Sequence, residues 1–185
     1  MCCVAVLIRI VVGHFFQDLF RIHLRGHVFS VGDDEPVAKF RLEGLDALFV
    51  AMAPAACDTL QALFRETNTT PRDYDLILTG DLGAVGHDIV VELFRREGVE
   101  LAHYTDCGLL LYDRKAQDMH AGGSGCGCSA AVLNGFLLGG LRQRRWKRVI
   151  FAPTGALLSP TSSFQGESIP GICHAVVLTP DKENA

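Results

Sequence analysis

A glycine-rich stretch, HAGGSGCGCSAAVLNG at residues 120–135, constrains the fold of this chain more than any other feature. Four glycines fall within six residues, and Cys126 and Cys128 alternate with the last two of them. Glycine adopts positive φ at little steric cost, so this run predicts backbone that turns tightly or approaches another group closely. The apolar run from Ala130 to Leu141 follows. The stretch therefore predicts a glycine loop that leads from a strand into a buried helix.

Two interpretations of this loop stay open at the level of sequence. The unpaired N–H groups at the start of the helix would suit an anionic ligand. Alternatively, the glycines let helix and sheet pack closely, and the small cysteines fill the space between them. The pattern is neither a G-x-G-x-x-G nucleotide loop nor a P-loop, because no Gly-Lys-Ser/Thr follows it.

Composition narrows the class of protein. The chain has 185 residues, of which 49% are hydrophobic, so it fits one packed globular domain. Its formal charge of −4 argues against binding nucleic acid through phosphate contacts. Seven cysteines form no even framework, which favours reduced thiols in a cytosol-like compartment. The apolar run at residues 4–16 is too short to span a bilayer and does not resemble a signal peptide.

The positive charges cluster at residues 142–148, with the sequence RQRRWKR. This cluster follows the apolar run, where cations stabilise a helix C-terminus. A solvated helix end and contact with an acidic membrane surface are both compatible with it.

Strands and helices alternate from about residue 45 onward, which predicts an α/β layered domain. Residues 1–44 show no clear pattern, and the charged tail at 181–185 is expected to fray. The predicted helices are Leu48–Phe64, Val85–Arg96 and a segment that ends near Arg144. The predicted strands are Leu76–Thr79, Leu109–Tyr112 (or an ordered loop there), a strand that ends at His120, Arg148–Ala152 and Ala175–Leu178. A long loop is predicted at Thr154–Gly171.

Polar residues fall at the ends of predicted strands or in the loops that follow, where open α/β sheets bind ligands. Three kinds of site are compatible with them. A Cys–His nucleophile would use Cys126 or Cys128 with His120 or His174, and a metal site would combine the same cysteines with Cys173 and His174. A binding pocket needs only N–H donors and a few polar side chains. The candidate residues are Asp81, His120, Gly125, Cys126, Cys128, Glu167 and His174.

Long segments of the chain resemble the stage V sporulation protein AD family, a thiolase-fold family of endospore-forming bacteria. The resemblance runs from Ala51 to Leu178, about two thirds of the chain. The matching segments are AMAPAACDTL (51–60), TPRDYDLILTGDLGAVG (70–86), DCGLLLYD (106–113), HAGGSGCGCSAAV (120–132) and TGALLSPTSSFQGESIPGICHAVVL (154–178).

The resemblance implies a fold. The family has two similar α/β halves, and this chain is similar to the second half alone, so we expect a truncated or split product. The expected fold is α/β, a thiolase-like half domain in which helices cover a mixed sheet of about five strands. It would occupy residues 45–180, and residues 1–44 would form an atypical N-terminal segment that does not match the family.

The resemblance also implies a function. The family is understood to bind dipicolinic acid (pyridine-2,6-dicarboxylate) and to assist its uptake, with calcium, into the developing spore. The expected partners are this ligand, alone or as its calcium complex, and membrane proteins of the same operon. The protein would then be non-enzymatic, need no cofactor, and lie peripheral to the inner spore membrane. The turn at Asp81 and the loop from Gly125 to Cys128 stand at the loops that surround the acyl site of thiolases.

The alternative is a thiolase-like acyltransferase fragment. In thiolase-like enzymes the nucleophilic cysteine belongs to the first half, so a separate chain would have to supply it. The Gly-His-Pro motif usual in thiolases is absent here, which argues against acyl transfer. A half domain would also expose the apolar face that meets its twin, and this predicts a homodimer through that face.

Overall fold

The structure is a computed structural model that describes residues 8–11, 22–23, 25–30, 46–156 and 170–180. The helices are α1 (Asp46–Thr67), α2 (Gly83–Arg96), α3 (Cys107–Leu110), α4 (Cys128–Val132) and α5 (Leu138–Arg142), with a 3₁₀ turn at Pro71–Asp73 and a π-helical turn at Leu133–Leu137 between α4 and α5. The strands are β1 (Ile8–Val11), β2 (Ile22–His23), β3 (Arg25–Ser30), β4 (Leu76–Thr79), β5 (Tyr104–Asp106), β6 (Val149–Ala152), β7 (Thr154–Ala156) and β8 (Pro170–Leu178).

The strands of the described residues form one mixed sheet in the order β2-β1-β8-β6-β4-β5, with β3 and β7 also paired to β8. Strands β4, β5 and β6 are parallel, and β8 runs antiparallel to β6. Five strands, β4 to β8, fall within residues 45–180. The predicted α/β fold with a mixed sheet of about five strands in that range is therefore confirmed. β1, β2 and β3 come from residues 1–44 and extend the sheet beyond β8.

Helices cover both faces of the sheet. Ile77 of β4 and Ile150 of β6 belong to the core beneath α1 and α2. Their neighbours Leu78 and Phe151 belong to a second core beneath α4, the π-helical turn and α5. Successive side chains of a strand point to opposite faces. Because both faces are buried, these strands read as continuous apolar runs rather than as alternating ones.

Two predicted strands are wrong, and both lie between β5 and α4. Cys107–Leu110 is a helical turn, so the predicted strand at Leu109–Tyr112 does not form. The strand in this region is Tyr104–Asp106, and the Asp106 side chain caps α3 by accepting a hydrogen bond from the Gly108 N–H. No strand leads into His120, because residues 111–127 form bends, turns and irregular backbone.

The predicted loop at Thr154–Gly171 is also partly wrong. Thr154–Ala156 forms β7, which pairs with β8, and β8 begins at Pro170 rather than at Ala175. The long strand is stabilised by pairing on both edges, which short-range sequence patterns do not reveal. Glu167 lies outside the described residues. Within the described part of the chain, no helix combines the length and apolar character needed to cross a membrane.

Candidate functional site

Asp81 ties together three loops at the carboxyl ends of the parallel strands. It lies two residues after the end of β4, and it is buried. One carboxylate oxygen accepts hydrogen bonds from the Gly125 N–H, at 3.1 Å, and from the Ser124 hydroxyl, at 3.4 Å. The other accepts from the hydroxyl of Thr154 at 3.0 Å. The carboxylate therefore fixes the glycine loop and the start of β7 against the end of β4.

Asp106, at the end of β5, also connects neighbouring segments through hydrogen bonds to its carboxylate. It is fully buried. Four hydrogen bonds reach its carboxylate, three from backbone N–H groups and one from a hydroxyl. Burial nevertheless raises the pKa of Asp106, because removing the charge from water outweighs the N–H groups that stabilise the ionised form. Asp106 thus holds the starts of α2 and α3 together, the donors being Thr79, Leu82, Gly83 and Gly108.

Some glycines of the loop serve close packing, and others leave backbone exposed where a ligand could bind, so both interpretations of the sequence apply to part of the loop. A Cβ on Gly108 would lie 2.1 Å from the carbonyl oxygen of Gly123, so there the backbones of two loops touch. Gly122 has φ +91°, and its Cβ would lie 2.5 Å from the carbonyl oxygen of Gly108. These positions serve packing. Gly125 and Gly127 border open space, since a Cβ on either would meet no atom of the described residues within 4 Å. The segment from Gly125 to Gly127 is exposed, as is Ser124 before it.

The cysteines of the loop differ in environment. Cys126 is exposed, whereas Cys128 is buried and donates its S–H to the carbonyl oxygen of Gly80 at 3.6 Å. Burial, together with the nearby charge of Asp106, raises the pKa of the Cys128 thiol to about 12. Burial likewise raises the pKa of Cys107 and Cys173. These buried thiols are protonated at neutral pH and lack the thiolate that a nucleophile needs.

The histidines lie apart from each other. His120 is at the surface, where its side chain and that of Asp118 are each 90% exposed and 3.7 Å apart. His174 lies on β8, on the same face as Val176, which packs against the core that includes Cys128. The Nδ1 atom of His174 is buried and makes no hydrogen bond within the described residues. Its backbone N–H donates to the carbonyl oxygen of Pro153, so His174 lies beside the end of β6.

The structure thus brings together some of the predicted site residues. Asp81, Gly125 and Cys128 converge at the strand ends, with Cys126 exposed above them. His174 lies at the same edge of the sheet, two strands away from β4. His120 points to solvent. In the described part of the chain, no hydrogen bond joins a cysteine to a histidine, and no group of three or more His, Cys, Asp or Glu residues is placed to hold a metal ion.

Sequence reasoning missed two residues that organise this site. Asp106 was hidden because β5 has only three residues and was not recognised. Its signal is an acidic residue that directly follows two residues favoured in strands, Tyr104 and Thr105, and precedes a glycine two positions later. Thr154 was assigned to a loop, although a hydroxyl directly after a strand commonly satisfies nearby backbone and carboxylate groups.

Comparison with known proteins agrees with this architecture. The family model for stage V sporulation protein AD (SpoVAD) matches residues 37–179. The chain is 49% identical over 129 residues to "Stage V sporulation protein AD" of Bacillus subtilis (strain 168), and this alignment covers 69% of the chain. The alignment covers 38% of that relative's length. On the strength of both matches, this chain belongs to the stage V sporulation protein AD family.

Proposed function

We propose that this chain is a non-enzymatic, ligand-binding part of a sporulation protein, and that its ligand is dipicolinic acid. The role in sporulation follows from the family. The observation that carries the ligand proposal is the buried Nδ1 of His174, which has no hydrogen-bond partner within the described residues. A buried polar atom without a partner costs free energy, so its presence in a folded protein calls for an explanation, and a group that binds there is one.

The position of the glycine loop supports the same ligand. The segment from Gly125 to Gly127 is exposed, and no described residue lies within 4 Å of a Cβ placed on either glycine. Backbone N–H groups before a helix favour anions, and dipicolinate carries two carboxylates on a flat ring. The Gly125 N–H already donates to Asp81, so the N–H groups of Cys126 and Gly127 are the donors proposed for the ligand. Histidine can donate to a carboxylate or stack against such a ring. The other candidate residues, Cys126 and Cys128, would then border the ring rather than react with it.

The negative charge of the site affects whether dipicolinate would bind as a free dianion or as its calcium complex. Asp81 and Asp106 bring two carboxyl groups to this edge of the sheet. A free dianion would be repelled wherever these groups are ionised, whereas a complex with calcium would carry no net charge. We therefore expect tighter binding of dipicolinate in the presence of calcium, and we expect the protein to assist uptake of the two together into the developing spore.

Raised thiol pKa values at Cys107, Cys128 and Cys173 weigh against a Cys–His nucleophile built from these cysteines of the chain itself. We expect the protein to lie at the inner spore membrane, in contact with membrane proteins of the same operon. A homodimer through the face that a second half would cover is a further expectation.

Calorimetric titration of the chain tests the ligand. We expect saturable binding of dipicolinate that strengthens with calcium, and no binding of pyridine-3-carboxylate, which lacks the paired carboxylates. Benzene-1,3-dicarboxylate, which keeps both carboxylates but lacks the ring nitrogen, reports whether that atom contributes. The absence of dipicolinate binding by a folded sample, with and without calcium, would refute the proposal for this chain.

A matched pair of variants tests the role of His174. His174→Asn should weaken binding by roughly tenfold to a hundredfold, the usual effect of losing a hydrogen bond to a charged group. His103→Asn is the control, since His103 is an exposed histidine that precedes β5 at the other edge of the sheet. Equal affinities for both variants and the wild type would remove His174 from the site.

A further inference from the structure

The charges of this chain are distributed unevenly along the sequence. Residues 119–166 contain none of the 21 acidic residues and five of the 17 basic ones. The rest of the chain therefore has twelve basic residues against all 21 acidic ones. All five cations of the acid-free segment fall within residues 142–148. A protein with a net charge of −4 thus carries one compact region of strongly positive charge.

A helix end accounts for only one of these cations. Helix α5 ends at Arg142, which is the basic residue of its last turn. Arg144, Arg145 and Lys147 come after the helix and are exposed, and Arg148 is half-buried. Interaction with a helix dipole is confined to the last turn. Most of the positive charge therefore has another explanation.

The segment is held in place by packing and hydrogen bonds. The side chain of Asp75 accepts hydrogen bonds from the N–H groups of Lys147 and Arg148, at 2.6 and 2.9 Å. Trp146 packs so closely on α5 that a Cβ on Gly140 would lie 2.0 Å from its ring. The carboxylate of Asp75 contacts the backbone, and the side chains of Arg142, Arg145 and Lys147 make no ion pair within the described residues.

Aromatic rings lie among the cations. The rings of Trp146 and Phe136 are 5.2 Å apart, and the guanidinium of Arg145 lies 4.9 Å from the centre of the first and 5.6 Å from that of the second. The neighbouring helical surface, from Cys128 to Leu141, has no charged residue at all. We call Phe136 and residues 142–148 together the basic patch.

We propose that the basic patch docks the protein on the surface of a bilayer that contains anionic lipids. Cations at such a surface attract the anionic headgroups, and tryptophan is favoured at the level of the headgroups. A bilayer offers uniform negative charge, so the exposed cations of Arg142, Arg145 and Lys147, which make no ion pair within the described residues, suit it better than a protein partner with fixed acidic side chains. The inference rests on the membrane location in the proposed function, but it uses none of the residues of the ligand site.

The topology makes docking compatible with ligand binding. The basic patch directly precedes β6, whereas Thr154 and the end of β4 lie at the opposite ends of these parallel strands. Four residues of strand separate the two edges by roughly 13 Å. A membrane that contacts the basic patch would therefore leave the segment from Gly125 to Gly127 open.

Trp146 provides a direct probe, because it is the single tryptophan of the chain. Vesicles of phosphatidylcholine mixed with phosphatidylglycerol should shift its emission to shorter wavelength and protect it from acrylamide quenching. Vesicles of phosphatidylcholine alone should do neither, and added salt should reverse the effect. Unchanged emission with the anionic vesicles, or an equal response to both kinds, would overturn the proposal.

A charge-matched pair of variants locates the contact. Arg142→Gln/Arg145→Gln/Lys147→Gln should lower partitioning onto anionic vesicles, measured by sedimentation, by about fivefold per cation at low salt, or on the order of a hundredfold. Arg95→Gln/Arg96→Gln/Lys115→Gln removes the same charge from exposed residues elsewhere and should have little effect. Equal losses in both variants would overturn the proposal. Dipicolinate titration of both variants separates this outcome from a failure of the ligand site.

Discussion

The fully buried carboxyl group of Asp106 accepts hydrogen bonds from the backbones of two loops. The N–H groups at the starts of α2 and α3 point to it, and the hydroxyl of Thr79 completes its set of donors. Asp81 does the same for the glycine loop. The shape of the candidate site thus depends on two buried carboxylates rather than on its cysteines.

Asp106→Asn should destabilise the protein by about 2–4 kcal/mol at neutral pH. The amide of asparagine keeps one oxygen that can accept a hydrogen bond. Its NH₂ group, however, would face the backbone N–H groups that now donate to the carboxylate. Chemical denaturation measures the loss, and Asp118→Asn, at a side chain that is 90% exposed, is the control. A loss no larger than that of the control would contradict the role assigned to Asp106.

The pH dependence of this difference has a definite sign. Burial raises the pKa of Asp106 above its ordinary value of 3.8, so the folded state holds this proton more tightly than the unfolded state does. The contribution of Asp106 to stability is therefore greatest below pH 3.8 and decreases as the pH rises through the folded-state pKa. The difference in unfolding free energy between wild type and Asp106→Asn should shrink over that range. A difference that grows with pH would mean that the carboxylate is favoured by folding.

Substitution by alanine should be costly at a glycine that packs against another loop and nearly neutral at one that borders open space with a negative φ. Gly108→Ala would place a methyl group 2.1 Å from the carbonyl oxygen of Gly123, so we expect a loss of about 2–3 kcal/mol. Gly127→Ala meets open space at φ −89° and should change stability by less than about 0.5 kcal/mol. Thermal unfolding of the two variants checks both values, and similar losses would contradict the division of the loop.

Among the elements, the contact of the β4 turn with β7 and the glycine loop positions the candidate site. The Thr154 hydroxyl donates to the carboxylate of Asp81 and accepts from the Asp81 N–H, at 3.0 and 3.2 Å. Because β7 pairs with β8, this single hydroxyl connects the ends of strands that are distant in sequence. It joins the site to the central part of the sheet.

Removing that hydroxyl should loosen the connection. Thr154→Val should lower the unfolding free energy by about 1–3 kcal/mol, since the Asp81 N–H and one oxygen of its carboxylate each lose a hydrogen bond. Thr154→Ser keeps the hydroxyl and should cost less than about 1 kcal/mol. Urea denaturation distinguishes the two, and indistinguishable stabilities would show that packing rather than hydrogen bonding holds β7.

The same elements show what the sequence can predict. Leu76–Thr79 and the helix that follows it were recognisable because an apolar run, a glycine turn and a helical face occur in order. β5 and β7 have three residues each and exist through pairing with neighbours far along the chain, which no local pattern contains. For the same reason Asp81 was predictable as a strand-end residue, whereas its partner Thr154 and the neighbouring Asp106 were not. The glycine loop was predictable as a loop before a helix, but the strand expected before it does not form.

At the scale of the whole molecule, the sheet separates two surfaces of different character. The carboxyl ends of the parallel strands carry Asp81, the exposed glycine segment and His174, and the opposite ends adjoin the basic patch. This arrangement would let one end meet a membrane while the other meets a ligand. The chain spans about 38% of the length of its Bacillus subtilis relative, so the activity and partners of the whole protein remain proposals.

We propose that dipicolinate binds at the strand-end loops of this chain, and backbone NMR on a 20.1 kDa protein tests this binding residue by residue. On titration with dipicolinate and calcium, we predict saturable shifts of the N–H signals of Gly125, Cys126 and Gly127 and of the imidazole signals of His174. Signals from residues 142–148 should not move. Saturable shifts confined to another surface, or none in a well-dispersed spectrum, would contradict the account.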